Sequence, residues 1–193
     1  MDTIADNKAA VRFIRAKGSV YNIDPDRIGA MGRSAGGALT AILAVTGDDP
    51  EFEGNGGHEQ YSSSIQAALA FCGVFDFISR FTNENQIALQ PGVKTKIITN
   101  GEWIGPPFSA DQHDWINVSA INHVDQDDPP ILLLHCKDDA TVPWIQTEIM
   151  NEAMKRTGAK SSAIYFETGG HGFRDLGETP MAEMVRFFEK QLG

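Results

Sequence analysis

Apolar positions along this chain fall into runs of two kinds, and the kinds alternate. Between residues 3 and 17, Ile4, Val11 and Ile14 recur near one face of a helix, and Gly18 follows as a stop. Asp24-Pro25-Asp26 reads as a turn leading into a short strand-like run, Arg27 to Met31. Leu39, Ile42 and Leu43 return to helical spacing, and Gly47 ends that segment. Residues 48–64 are polar and glycine-rich, the pattern of a loop. A continuous apolar run from Ile65 to Val74, interrupted at Gln66 and Gly73, suits a strand covered on both faces.

Residues 76–129 lack a clean period and suit a lid-like excursion. Ile131 to Leu134 is a second fully apolar strand, bounded upstream by Pro129-Pro130. Pro143 opens a helix with Ile145, Ile149 and Ala153 on one face, and Gly158 ends it. Ala163 to Phe166 predicts a further strand. From Thr179-Pro180, the positions Met181, Met184, Val185, Phe188 and Leu192 form a core-facing helical stripe. Strands alternating with helices imply parallel pairing through right-handed crossovers. The expected architecture is therefore α/β, a parallel sheet with helices on both faces, in a single domain over residues 1–193.

Composition narrows the function classes. A chain of 193 residues that is 41% hydrophobic and 22% charged can bury one proper core. Its net charge of -10 argues against nucleic acid or an anionic membrane surface as partner. The first eight residues carry no hydrophobic signal segment, which by default points to the cytoplasm and leaves localisation otherwise open. Cys72 and Cys136 make no disulfide framework. They read as buried thiols, with a bridge left open if their strands are neighbours. Asn117-Val118-Ser119 matches a glycosylation sequon and is read as a chance match.

The chemistry centres on Gly32-Arg33-Ser34-Ala35-Gly36, which stands between a strand-like run and a helical one. A serine needs small neighbours to sit on so sharp a turn, and the arrangement suits a nucleophile elbow. Two further groups follow predicted strands: Asp139 after the leucine-rich one, and His171 within Gly169-Gly170-His171-Gly172 after the last. In a parallel sheet, strand C-terminal ends converge on one site. A serine hydroxyl becomes nucleophilic when an imidazole takes its proton, and the imidazole needs a carboxylate to fix its tautomer. The Ala35 N–H, at the start of the helix, can receive a developing oxyanion. Asp138 is a rival for the orienting role, and His135, at the end of a core strand, reads as a buried structural histidine. His113, His123, Asp125, Asp127 and Asp128 lack recognised metal-ligand spacing and read as a polar loop. No segment cradles a phosphate or a dinucleotide, so no cofactor is expected.

These segments together resemble an α/β-hydrolase of the small carboxylesterase type, the group around bacterial feruloyl and acetyl esterases and the hormone-sensitive-lipase-like enzymes. The likeness runs through Asp24 to Ile28, Met31 to Gly37, Phe52-Glu53-Gly54 and Gln66-Ala67-Ala68. It continues through Ser119 to Val124, Asp128-Pro129-Pro130, Asp139 and Gly170 to Phe173. It implies Ser34 as nucleophile, His171 as base and Asp139 as acid, hydrolysing carboxylic esters through an acyl-enzyme without a cofactor. Short-chain acyl, acetyl or feruloyl-type esters are the implied substrates, with an amide or formamide bond as a lesser alternative. One departure stands out. Members of this group carry a His- and Gly-rich oxyanion loop well ahead of the nucleophile, and no His-Gly-Gly precedes Ser34. The chain thus resembles the part of the fold from the nucleophile strand onward. It is expected to be a portion of a longer esterase, or an impaired half-domain that assembles with another chain, including a second copy, through an open sheet edge.

Overall fold

Runs with no polar face must be covered on both sides, and two such runs become the interior strands of the sheet. In the computed structural model, which describes residues 2–193, β1 (Gly29–Arg33), β2 (Ala67–Phe71), β3 (Ile131–Cys136) and β4 (Ser161–Phe166) form one sheet. The order is β1-β2-β3-β4 and every pairing is parallel. The register aligns Gly32 with Ala70, Phe71 with Leu134 and Cys136 with Phe166, so the C-terminal ends of the strands meet at one edge of the molecule. All six residues of β3 are buried. β1 is bonded on one side only among the described residues, and its Met31 is 53% exposed.

Helices α1 (Asp2–Ala16) and α2 (Gly18–Tyr21) precede β1, and α3 (Ala35–Val45) and α4 (Pro50–Glu53) lie between β1 and β2. Between β2 and β3 come α5 (Phe77–Thr82), α6 (Glu84–Leu89), α7 (Val93–Ile104) and α8 (His113–Asn117). Then α9 (Ile145–Thr157) separates β3 from β4, and α10 (Thr179–Leu192) closes the chain. One sheet face, with Ala68, Ala70, Ile131 and Leu133, packs against Ala41, Ile42 and Val45 of α3 and Met150 and Met154 of α9. The other, with Leu69, Leu132 and Leu134, meets Met184, Phe187 and Phe188 of α10. Small alanines on β2 let α3 lie close, which is why β2 reads as apolar without being bulky.

Periodicity misjudged several helices, each for a physical reason. The stretch 76–129 carries four α-helices: α5, α6 and α8 are of five or six residues, too short to show a period, and the longer α7 buries only Ile104 and so shows no apolar face. Phe77, Phe81, Ile104 and Trp115 join it to the main core. Residues 50–53 form a helical turn inside the expected loop, begun by Pro50 and capped by the Asp49 carboxylate on Glu51 N. In α9 the buried face carries Gln146, Thr147, Met150, Ala153 and Met154, while Ile145 and Ile149 are only partly covered. Gln146 goes inside because it has work there: its Oε1 accepts from Phe75 N (2.7 Å) and Asp76 N (2.8 Å). In α10, Met181 and Val185 remain 57% and 44% exposed, because only the Met184, Phe187 and Phe188 side reaches the sheet. No helix among the described residues is long and apolar enough to cross a membrane.

The largest surprise is the inner face of α1, where Lys8 and Arg12 are as buried as Ile4 and Val11. Lys8 Nζ donates to Glu53 Oε1 (3.0 Å), Ser63 Oγ (3.1 Å), Thr46 O (3.2 Å) and Gly47 O. Arg12 donates to the Glu53 carboxylate, to Glu53 O (3.0 Å) and to Gly57 O (3.0 Å). One carboxylate thus answers two buried cations and ties α1 to the 47–63 segment. Sequence periodicity saw the apolar positions and missed these, because a buried charge is recognisable only from its partner.

At the opposite end of the sheet from Ser34, His123, Asp125, Asp127 and Asp128 line an open cavity of about 660 Å³ with Asp48 and Asp49. His113 points elsewhere, 3.8 Å from Asp114. Among the described residues this set contains no group of ligand atoms close enough to hold a metal ion. The sequon asparagine, Asn117, is buried and donates to Glu51 Oε1 (2.7 Å).

Two stability predictions result. Glu53→Ala strands two buried cations and is expected to cost about 3–5 kcal/mol at neutral pH, measured by urea unfolding. Burial, reinforced by the charges of Asp125 and Asp127, pushes the Asp128 carboxyl up to about 7. A carboxyl raised above its unfolded value makes the fold lose stability as pH rises from about 4 to about 7. Asp128→Asn should therefore melt higher than the parent at pH 8 and converge with it near pH 4.

Candidate active site

A parallel strand running straight into a helix must reverse its backbone within one residue, and here that residue is Ser34. It adopts φ 58° and ψ −118°, a conformation uncommon for a residue with a side chain, between the end of β1 and the first turn of α3. Ser34 N donates to Phe71 O (2.9 Å), which fastens the turn to β2. Gly32 permits the tightness, since a Cβ there would lie 2.1 Å from Gly36 O. The Ala35 N–H, like the other first-turn amides of α3, lacks a helical acceptor, and Ala35 lines the same pocket as Ser34.

The structure brings Ser34, His171 and Asp139 together. Ser34 Oγ lies 2.8 Å from His171 Nε2, and His171 Nδ1 lies 2.7 Å from Asp139 Oδ2. A carboxylate only accepts, so Nδ1 carries the ring proton and Nε2 is left with the lone pair that faces the serine hydroxyl. Asp139 is buried. Burial alone would push its carboxyl up. Hydrogen bonds from His135 and His171 and from the amides of Val142 and Thr141 outweigh that and hold it far below the usual carboxylate range. It is therefore ionised at any working pH.

The two rival residues have other partners. Asp138 points along the chain to the histidine loop, accepting from Gly170 N (2.7 Å) and Gly169 N (3.2 Å). Those bonds pin the segment that carries His171. Gly169 has φ 129°, and a Cβ there would meet Cys136 Sγ at 2.9 Å. His135 is fully buried. Its Nε2 faces Val142 O (3.0 Å) and Asp139 Oδ2 (3.2 Å), and its Nδ1 faces Thr147 Oγ (2.8 Å). It is structural in the expected sense, yet it also touches the carboxylate, a contact the sequence did not signal.

A cavity of about 410 Å³ opens beside Ser34, within the usual range for small-molecule sites. Ala38, Leu39, Val74, Phe77 and Trp103 give it an apolar wall. Arg80 and Lys96, from the aperiodic stretch, complete it. Arg80 Nη2 donates to Thr141 O (3.0 Å), and Lys96 Nζ donates to Ala140 O (3.0 Å) and Thr141 O (2.8 Å). Both cations thus hold the loop whose amides hold Asp139. Burial lowers the Arg80 guanidinium to about 10, which leaves it charged at neutral pH. No motif marks these two positions in the sequence; only the folded excursion brings them here.

Cys72 and Cys136 are buried and unbridged, although β2 and β3 are neighbours. Cys72 follows β2 with φ 39°, and its Sγ lies 3.7 Å from His171 O.

Residues 2–154 match the family model described as BD-FAE. The chain is 31% identical over 193 residues to "Probable carboxylic ester hydrolase LipM" of Mycobacterium tuberculosis, a match covering 99% of this chain and 42% of that protein. "Esterase LipQ" of the same organism is 28% identical, over 94% of this chain and 41% of that protein. Among solved structures, a truncated form of carbohydrate esterase from gut microbiota is 29% identical, with a TM-score of 0.77, over 97% of this chain and 67% of that one. Thermogutta terrifontis esterase 2, phosphoramylated by tabun, is 27% identical with a TM-score of 0.73, over 98% of this chain and 64% of that one. The chain therefore spans less than half the length of these curated relatives. The parallel sheet, its helices and the family match agree: the chain belongs to the BD-FAE family and is of the α/β-hydrolase esterase type.

Proposed function

We propose that the chain hydrolyses carboxylic esters through a covalent acyl-enzyme on Ser34, with His171 as general base and Asp139 as its orienting carboxylate. The observation that carries this reading is the continuous hydrogen-bonded line from Ser34 Oγ through the imidazole to the ionised carboxylate, at the mouth of an apolar pocket. Ser34 Oγ attacks the ester carbonyl while its proton passes to His171 Nε2. The imidazolium that results is stabilised by Asp139. The oxyanion forms against the Ala35 N–H at the positive end of α3. On collapse of the tetrahedral intermediate, His171 returns its proton to the leaving oxygen, giving the free alcohol and the acyl-serine, and a water deprotonated by His171 then releases the acid and Ser34.

Pocket size favours small acyl groups. A cavity of about 410 Å³ suits acetyl or short-chain esters and admits an aryl group of the feruloyl kind. The gut relative named as a carbohydrate esterase supports a sugar ester as the natural substrate.

The open side of β1 supports a second reading, in which another chain, or a second copy, pairs there and supplies a further oxyanion donor. In that case turnover rises with protein concentration faster than linearly.

Turnover of p-nitrophenyl acetate tests the proposal. Ser34→Ala is expected to remove it, and Asp139→Asn to lower kcat by about 10⁴-fold, because the wrong histidine tautomer then faces the serine. Asp138→Asn, which only loosens the histidine loop, is expected to cost about tenfold or less. Equal losses at Asp138 and Asp139, or turnover that survives Ser34→Ala, would overturn these assignments.

A further inference from the structure

We propose that Cys72, Asp139 and His171 form a binding site for a soft divalent cation of the zinc or cadmium class, and that occupancy silences Ser34. The binding half of this inference needs no catalysis; the silencing half rests on the roles proposed above for Ser34 and His171.

The geometry is that of a site one short movement from closure. One potential ligand atom from each of the three residues lies within 4.8 Å of the other two. Around a tetrahedral zinc, with bonds of about 2.0–2.3 Å, ligand atoms stand about 3.5 Å apart. Closing on a metal therefore asks the thiol to draw in from within 4.8 Å and the His171–Asp139 pair, now 2.7 Å apart, to open. Asp139 and Cys72 have fully buried side chains or residues, whereas the His171 side chain is 25% exposed, so an ion reaches the site past the imidazole edge. Cys72 has no part in the relay from Ser34 to Asp139. It is held beside the His171 backbone by a left-handed backbone conformation that a cysteine seldom adopts, with its Sγ 3.7 Å from His171 O.

Charge and proton balance explain why such an ion would be held. Without a metal, Cys72 is a buried free thiol beside the Asp139 carboxylate. A dication changes that. The Cys72 proton leaves to solvent, the single ring proton of neutral His171 moves from Nδ1 to Nε2, and the metal takes its place beside Asp139. Two positive charges then face one carboxylate and one thiolate, leaving no net charge to bury. With its proton on Nε2, the imidazole can donate to Ser34 Oγ but cannot accept from it. A thiolate in the set selects soft ions over magnesium or calcium.

The test uses the intact chain and three ions, cadmium, cobalt(II) and magnesium. Cadmium or cobalt should produce a near-ultraviolet thiolate-to-metal charge-transfer band with one equivalent bound, and magnesium should produce none. Cys72→Ser should abolish the band and Cys136→Ser should keep it. His171→Ala, which leaves Cys72 in place, should weaken binding by more than the roughly 10–100-fold typical of losing an outer-shell partner. Should Cys72→Ser fail to fold, the His171→Ala and Cys136→Ser results decide alone. In the active chain, cadmium should block p-nitrophenyl acetate turnover, EDTA should restore it, and Cys72→Ser should keep basal turnover while losing the block. A band that depends on Cys136, or binding unchanged by His171→Ala, would overturn the site. A block equally strong in folded Cys72→Ser would overturn the silencing mechanism while leaving the esterase reading intact. Chain without turnover that still shows the Cys72-dependent band would count against the esterase reading alone.

Discussion

The arrangement around Ser34 depends on one buried carboxylate. Asp139 sits where burial would neutralise it, and four groups keep it charged: the amides of Thr141 and Val142, His135 from β3, and His171 itself. The amides belong to a loop whose carbonyls are in turn held by Arg80 and Lys96. His135 is fixed by Thr147 of α9. Through these contacts the strand end, the crossover helix and the excursion between β2 and β3 all bear on a single oxygen pair. In the proposed mechanism, Asp139 sets which nitrogen of His171 is free, and with it whether Ser34 can give up its proton.

The same logic of answered charge recurs away from the site. Glu53 resolves two buried cations on α1, and Gln146 resolves the backbone of Phe75 and Asp76 where the chain leaves β2. In each case a polar side chain is buried because it completes a bond that the fold would otherwise leave open. These polar ties fasten the helices that flank the sheet, while the apolar layers on its two faces supply most of the burial.

Parallel strands, their order along the chain and the elbow were legible from the residues because each leaves a local mark. Two strands lack a polar face, and Gly32, Ser34 and Gly36 stand at fixed spacing between strand and helix. The neighbours Asp138 and Asp139 are alike in sequence terms and differ in where their oxygens point, one to the Gly169 and Gly170 amides and the other to His171. What stayed hidden is mostly a matter of partners. Lys8, Arg12, Gln146, Arg80 and Lys96 are defined by partners distant in sequence. His135 meets Asp139 only four residues on, but the turn after β3 has to fold back to bring them together. Met181 and Val185 are exposed because their helix covers less of the sheet than its stripe suggests. The helices between residues 76 and 129 are short or, in α7, bury too few residues to leave a period to read, although they wall the pocket.

The central claim is that His171 and Asp139 make Ser34 an unusually reactive hydroxyl. The most direct measurement is labelling of the folded chain with a fluorophosphonate, followed by intact mass and mapping of the adduct. The account predicts one equivalent of adduct, on Ser34, formed far faster than on any other hydroxyl of the chain and absent from Ser34→Ala. No adduct on a chain shown to be folded, or an adduct on another residue, would contradict it.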